Sequence, residues 1–135
     1  MNILLCLDDN NGMLFNNRRQ SRDSEVINRI YEISKGKRLL IHSFSRSLFE
    51  GNCTIDDNLL NTAAEDDFCF VENLMLSPHI NSINYLYIFR WNRSYPHDMI
   101  TDVDFNNFTL INTEEFTGSS HDKITLEVYK SWNSN

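Results

Sequence analysis

A chain of 135 residues holds enough material for one core of two or three layers and too little for two ordinary domains, so residues 1–135 are expected to form a single domain. Twelve Lys and Arg against 19 Asp and Glu give a net charge of -7, which excludes the broad phosphate neutralisation that non-specific nucleic-acid binding requires; any anion site must be local. Met1 is followed by a short apolar run with neither a basic region nor a small-residue cleavage site, and no stretch reaches membrane-spanning length. The expectation is a soluble cytoplasmic protein without a membrane partner.

Residues 3–7 (Ile-Leu-Leu-Cys-Leu) are apolar at every position, as in a central strand covered on both faces. The run breaks into Asp8-Asp9-Asn10-Asn11-Gly12-Met13, crosses the basic residues Arg18, Arg19 and Arg22, and reaches Asp23. Over residues 22–33, Val26, Ile27, Ile30, Tyr31 and Ile33 fall on helical spacing, with Ser21 as the expected cap and Asp23 and Glu25 at the positive end of the dipole. Lys35-Gly36-Lys37 ends this helix, and residues 38–42 follow as a second strand, parallel to the first because a helix intervenes.

Residues 45–50 read as one helical turn, 53–55 as a short strand and 56–64 as a short helix capped by Asp56 or Asp57. Residues 68–71 and 85–89 are further core strands, separated by a helix start at Ser77-Pro78. After Pro96 the pattern alternates over residues 108–116 and 123–129, joined by a polar turn: an antiparallel hairpin. The fold class is therefore α/β, with a mostly parallel central sheet closed by a C-terminal antiparallel hairpin. Only 4 Gly and 2 Pro are present among many Asn, so asparagine is expected at turn positions with positive φ. Cys6, Cys53 and Cys69 lack zinc or disulfide spacing and read as reduced, buried thiols.

Candidate chemistry concentrates where polar residues follow core strands. Asp23, on a helix beside an apolar cleft, is the candidate proton donor or acceptor, against the plainer role of a helix N-terminal acid. Arg18, Arg19 and Arg22 could grip a phosphate or carboxylate, or pair with Asp8, Asp9 or Asp23. Arg90, Trp91 and Arg93, followed by Tyr95, suit a planar anionic ligand or anchor a loop. His121-Asp122 in the hairpin turn is a weaker base candidate, since neighbours in a strand face opposite ways. His42, His79 and His97 have no metal-ligand spacing, and no metal or other cofactor is expected.

In order and spacing the chain resembles the dihydrofolate reductase superfamily in shortened form, over nearly its whole length. The first strand, the Asn11-Gly12-Met13 turn and an acid eleven residues after the glycine carry the resemblance, with residues 86–89 and the closing hairpin. The resemblance implies a three-layer fold with a substrate cleft, in which Asp23 stands where the family's substrate-binding carboxylate belongs. It departs at the cofactor half. Glu72-Asn73 replaces the Gly-Gly pair that admits the cofactor phosphates, Ser43 and Ser45 replace the residues gripping the nicotinamide cofactor, and Phe89 replaces the threonine behind the acid. The chain is also similar to a group of short bacterial proteins, some carrying ribonuclease-type names, in segments such as Arg18-Arg19-Gln20-Ser21 and Ser120-His121-Asp122-Lys123. The clustered His-x-His-x-Asp-His site of a metallo-β-lactamase-type nuclease is absent from this sequence.

The leading expectation is a cleft for a small planar or anionic ligand, pterin- or nucleotide-like, without nicotinamide binding. Asp23 would bond the ligand's polar edge, Arg18 and Arg19 its negative end, and Cys6, Leu7 and Met13 would form the apolar wall. A second reading is a non-catalytic interaction or homodimerisation domain using the hairpin and the Trp91–Tyr95 loop, and a third is an NADPH-dependent reductase.

Overall fold

A computed structural model describes residues 1–132. Strand β1 (Asn2–Leu7) leads into a short β2 (Gly12–Phe15) and β3 (Arg18–Arg19), then helix α1 (Ser24–Ile33), β4 (Leu39–Ile41), a 3-10 turn over Ser43–Leu48 and β5 (Thr54–Ile55). A single turn of helix α2 (Leu59–Thr62) precedes β6 (Phe68–Val71), and a 3-10 turn over Ser77–Ser82 precedes β7 (Tyr85–Arg90). The chain closes with β8 (Met99–Ile100), a 3-10 turn over Phe105–Asn107, β9 (Phe108–Phe116) and β10 (Ile124–Ser131).

Seven strands form one sheet in the order β5-β4-β6-β1-β7-β10-β9. β1 is its middle, parallel to β6 and β7, with Leu4 between Phe70 and Tyr87; β4 runs parallel to β6 and β5. The β9–β10 hairpin is added at the β7 edge, where β10 pairs antiparallel with both β7 and β9, with a bulge between Val128 and Tyr129. This is the α/β architecture that the apolar runs predict, because strands covered on both faces are apolar at successive positions.

The sheet separates two apolar layers. On one face Leu4, Phe70, Phe89 and Leu126 meet Val26 and Ile30 of α1; on the other, Ile3, Leu5, Leu7, Leu86 and Ile88 meet Leu59, Leu76 and Val103. The two-residue period of a strand thus divides β1: Cys6 belongs with the α1 face and Leu7 with the opposite face. Asparagine does occupy the left-handed positions, with Asn11, Asn16, Asn17 and Asn92 at φ between 51° and 60° and Gly36 at 79°.

Several local expectations are corrected. α1 begins at Ser24, and its cap is Asp23, whose carboxylate accepts from Glu25 N, whereas Ser21 lies a turn earlier. The helix expected over residues 56–64 shrinks to α2, and neither Asp56 nor Asp57 caps it. Asp56 accepts from Asn58 N and Thr62 Oγ1, and Asp57 accepts from Ser43 N and Oγ. Residues 77–82 wind as a 3-10 turn rather than an α-helix. The polar segment after β1 is no featureless loop, since β2 pairs with β3 and β8 in a small second sheet. No local period announces strands of two to four residues whose partner lies more than eighty positions away.

Ile30 is fully buried between α1 and the sheet. Ile30→Ala should therefore cost about 2–5 kcal/mol and Ile30→Val about 0.5–1.5 kcal/mol. Urea unfolding should show the loss as a lower midpoint at unchanged slope.

Candidate functional site

Polar loops gather at the carboxyl ends of β1, β4 and β6, where open α/β sheets place their ligand crevices. A slot there is lined by Cys6, Met13, Ser21, Phe70 and Trp91, with about 20 Å³ of open volume, little more than one water occupies. It shares Arg22, Asp23, Ile27 and Leu48 with a wider mouth of about 520 Å³ between α1 and residues 47–51. The mouth has small-molecule dimensions.

Asp23 stands where slot and mouth meet, but its carboxylate is turned into the protein. Oδ1 accepts from Glu25 N at 2.9 Å, Ser119 N at 2.8 Å and Ser119 Oγ at 3.1 Å. Oδ2 accepts from Ser120 N at 2.9 Å, Ser120 Oγ at 3.2 Å and His121 Nδ1 at 2.9 Å. Burial opposes ionisation, but the Ser119 and Ser120 amides, His121 and the Glu25 amide outweigh it and hold the carboxyl well below the usual carboxylate range. Gly118 makes this approach possible, since a Cβ there would lie 2.3 Å from Asp23 Oδ2.

His121 is buried and stacks on Trp91 at 4.6 Å between ring centroids and 22° between planes. An ionised carboxylate can only accept, so Nδ1 carries the proton shared with Asp23. In the neutral ring Nε2 is then an acceptor, with Ser21 Oγ at 3.0 Å and Tyr95 OH at 3.1 Å. Sequence reasoning set His121 low because Asp122 beside it could not be its partner. The acid that orients it comes instead from position 23, and no local spacing links the two.

The three arginines of the basic segment part company. Arg19 forms a bidentate pair with Glu72, at 2.9 and 3.0 Å, and donates to Phe44 O at 3.1 Å, while Ser45 Oγ donates to the same carboxylate at 2.7 Å. Its charge is satisfied within the protein, and the hydrogen bonds it donates to Glu72 raise the guanidinium pKa further. Arg18 faces an outer groove with Phe15 and Tyr95, away from Asp23. Arg22 is exposed at the junction of slot and mouth, and among the described residues its side chain has no ion-pair partner.

The remaining candidates do not converge either. Cys6 and Met13 line the slot, but Leu7 packs on the other sheet face, because consecutive strand residues alternate. The same alternation separates Arg90 from Trp91. Arg90 donates to Glu127 at 2.9 Å and to Asn11 Oδ1, and lies over the Phe105 ring on the far face. Arg93 is exposed, and its carbonyl accepts from Asp9 N in the turn after β1. Burial raises the Cys6 thiol pKa well above its ordinary value, so it is no nucleophile at neutral pH. Among the described residues no group of three or more His, Cys, Asp or Glu is placed to hold a metal ion, and no helix is long and apolar enough to cross a membrane.

The fold is that of a dihydrofolate-reductase-like α/β protein. Dihydrofolate reductase from Enterococcus faecalis, solved in complex with NADP(H) and RAB-propyl, is similar to this chain with a TM-score of 0.70, over 96% of this chain and 95% of that one. Only 8% of residues are identical, so the likeness is one of fold. No family model matches the sequence, and no curated protein matches it.

Because the folded pKa of Asp23 lies below its unfolded value, its ionisation stabilises the fold fully above about pH 4 and progressively less as pH falls below that. Asp23→Asn should flatten this acid limb and cost about 1–3 kcal/mol at pH 7, since an amide NH2 would face donors. Urea midpoints measured between pH 2 and 7 on both proteins give the comparison; parallel curves would contradict it.

Proposed function

We propose that the protein binds a small planar or anionic ligand, pterin- or nucleotide-like, in the mouth and slot beside α1, without nicotinamide-dependent reduction. The observation that carries this reading is the unpaired Arg22 at the rim of a small-molecule-sized cleft whose inner walls are Cys6, Met13, Phe70 and Trp91. Apolar walls with one convergent cation suit a flat ligand with a negative end. The ligand's anionic group meets Arg22, and its body lies along Ile27, Leu48 and Tyr31. Arg19, matched to Glu72, has no role in anion binding in this reading, and Asp23 orients His121 instead of exchanging a proton with the ligand.

Against the reductase reading stands Glu72. It follows β6, is 9% exposed and brings negative charge to a strand end where a pyrophosphate would seek free amides. A thermal-shift screen against NADPH, NADH, folates, pterins, nucleotides and phosphate tests the proposal, because a ligand at a hundred times its dissociation constant adds about 2.7 kcal/mol. Pterins or nucleotides should stabilise the protein and change the fluorescence of Trp91, and Arg22→Ala should weaken binding at least about tenfold, the loss of one charge-assisted hydrogen bond. Stabilisation by NADPH would restore the reductase reading.

The interaction-domain reading keeps one supporting observation. Leu110 and Ile111 are 48% and 51% exposed on β9, an unpaired sheet edge. In the Trp91–Tyr95 loop Trp91 is buried against His121, so a contact there would use the exposed Asn92, Arg93 and Ser94. Light scattering decides this point: a dimer dispersed by Ile111→Lys would favour that reading, and a monomer would remove it.

A further inference from the structure

Three side chains at the slot stand in the order carboxylate, imidazole, hydroxyl. Asp23 Oδ2 lies 2.9 Å from His121 Nδ1, and His121 Nε2 lies 3.0 Å from Ser21 Oγ. The carboxylate is fixed by four backbone and hydroxyl donors of Ser119 and Ser120 and by Glu25 N, and the imidazole is clamped against Trp91. Ser21 precedes α1 on an irregular segment, is half-buried and forms part of the slot lining. A purely structural network would need the hydrogen bonds but not a hydroxyl presented to a cavity. Such a constellation is recognised by geometry and roles, not by fold or chain order.

We propose that Ser21, His121 and Asp23 act as nucleophile, base and orienting carboxylate in the hydrolysis of small carboxylic esters whose carbonyl end enters the slot. The proposal rests on the reading of the cleft as a ligand site and names the chemistry performed there. Ser21 Oγ forms a bond to the ester carbonyl carbon while its proton passes to His121 Nε2, and the carbonyl π pair moves onto oxygen. Collapse of that adduct breaks the ester C–O bond, and the departing alkoxide takes the proton from Nε2. Water then repeats the sequence: its proton goes to Nε2, its oxygen bonds the acyl carbon, and Ser21 Oγ leaves and is reprotonated. Ester and water give acid and alcohol. Asp23 stays ionised throughout and stabilises the imidazolium. Arg22 is the cation on the same lining that can meet charge developing on the carbonyl oxygen. The space of about 20 Å³ admits little beyond the carbonyl oxygen at Ser21, so the acyl and alcohol portions of the ester lie in the mouth.

The test is covalent labelling of the full chain with a small fluorophosphonate, whose phosphorus takes the place of the ester carbon, read by intact mass and peptide mapping. A single adduct on Ser21 is expected, absent in Ser21→Ala and formed about a hundredfold or more slowly in His121→Gln. Ser21→Ala keeps the Asp23–His121 contact, so circular dichroism and melting should show a folded protein. If His121→Gln fails to fold, the mapped wild-type adduct and its absence in Ser21→Ala decide the test on their own. No adduct, an adduct on Tyr95 or elsewhere, or undiminished labelling of Ser21→Ala would overturn the proposal. Calorimetry with the pterin and nucleotide panel on the same samples separates the two readings. Binding without a Ser21 adduct overturns the relay and leaves the binding cleft; an adduct without binding supports the relay and removes the planar-anion reading.

Discussion

One buried carboxylate holds the two ends of this fold together. Asp23 terminates the irregular segment after β1, and its donors come from residues 119–121, nearly a hundred positions later. An ionised group this deep costs several kcal/mol unless its lone pairs are met. The hairpin turn meets them: Ser119 and Ser120 offer amides and hydroxyls, His121 an imidazole N–H, and Gly118 the space to approach. The start of α1 and the turn of the β9–β10 hairpin are therefore tied through the same carboxylate. An acid so fully committed stays ionised near neutral pH and serves to orient the imidazole beside it.

The same device recurs around the cleft. Asp8, fully buried, accepts from the amides of Asn10, Gly12 and Tyr95 and from Gln20 Nε2, which ties the β1–β2 turn to the loop after β7. Burial opposes its ionisation, and the Tyr95, Gly12 and Asn10 amides reverse that, leaving its pKa lowered. Glu72 does the equivalent between β3 and the 3-10 turn after β4 through Arg19 and Ser45. Loops at these strand ends are thus held by buried acids with long-range partners, and Gly12, Gly51 and Gly118 stand where a side chain would collide. At Gly12 a Cβ would come within 2.9 Å of Asp8 Oδ1.

What was legible in the sequence follows from the range of the forces involved. β1, β6 and β7 are marked by their own apolar runs, and α1 by a stripe whose period needs no partner to be seen. The separation of Leu7 from Cys6, and of Arg90 from Trp91, was also available, because alternation along a strand follows once the strand is recognised. β2, β3 and β8 were not legible, as each is short and defined by its partners. His121 was legible only as a weaker base candidate beside Asp122, because its partners are a carboxylate and a hydroxyl supplied by residues 23 and 21. Charge counts mislead in the same way. Arg18, Arg19 and Arg22 look like one basic cluster, yet β3 sends Arg18 to an outer groove and Arg19 to a buried ion pair, while the irregular segment after it leaves Arg22 at the cleft rim.

Likeness of fold at 8% identity leaves the chemistry to be argued from the residues. At the end of β6, Arg19, Glu72 and Ser45 fill with mutual hydrogen bonds a place where free amides would be needed to receive a phosphate. Filling it has a second effect. Arg19 reaches Glu72 from β3, so the pair draws the segment carrying Gln20 and Ser21 down over the sheet, narrows the slot, and sets the Ser21 hydroxyl against His121. Removing the pair would release that segment as well as reopen the strand end. Closure on the β6 side and the alignment of the Asp23, His121 and Ser21 side chains are consequences of the same chain path.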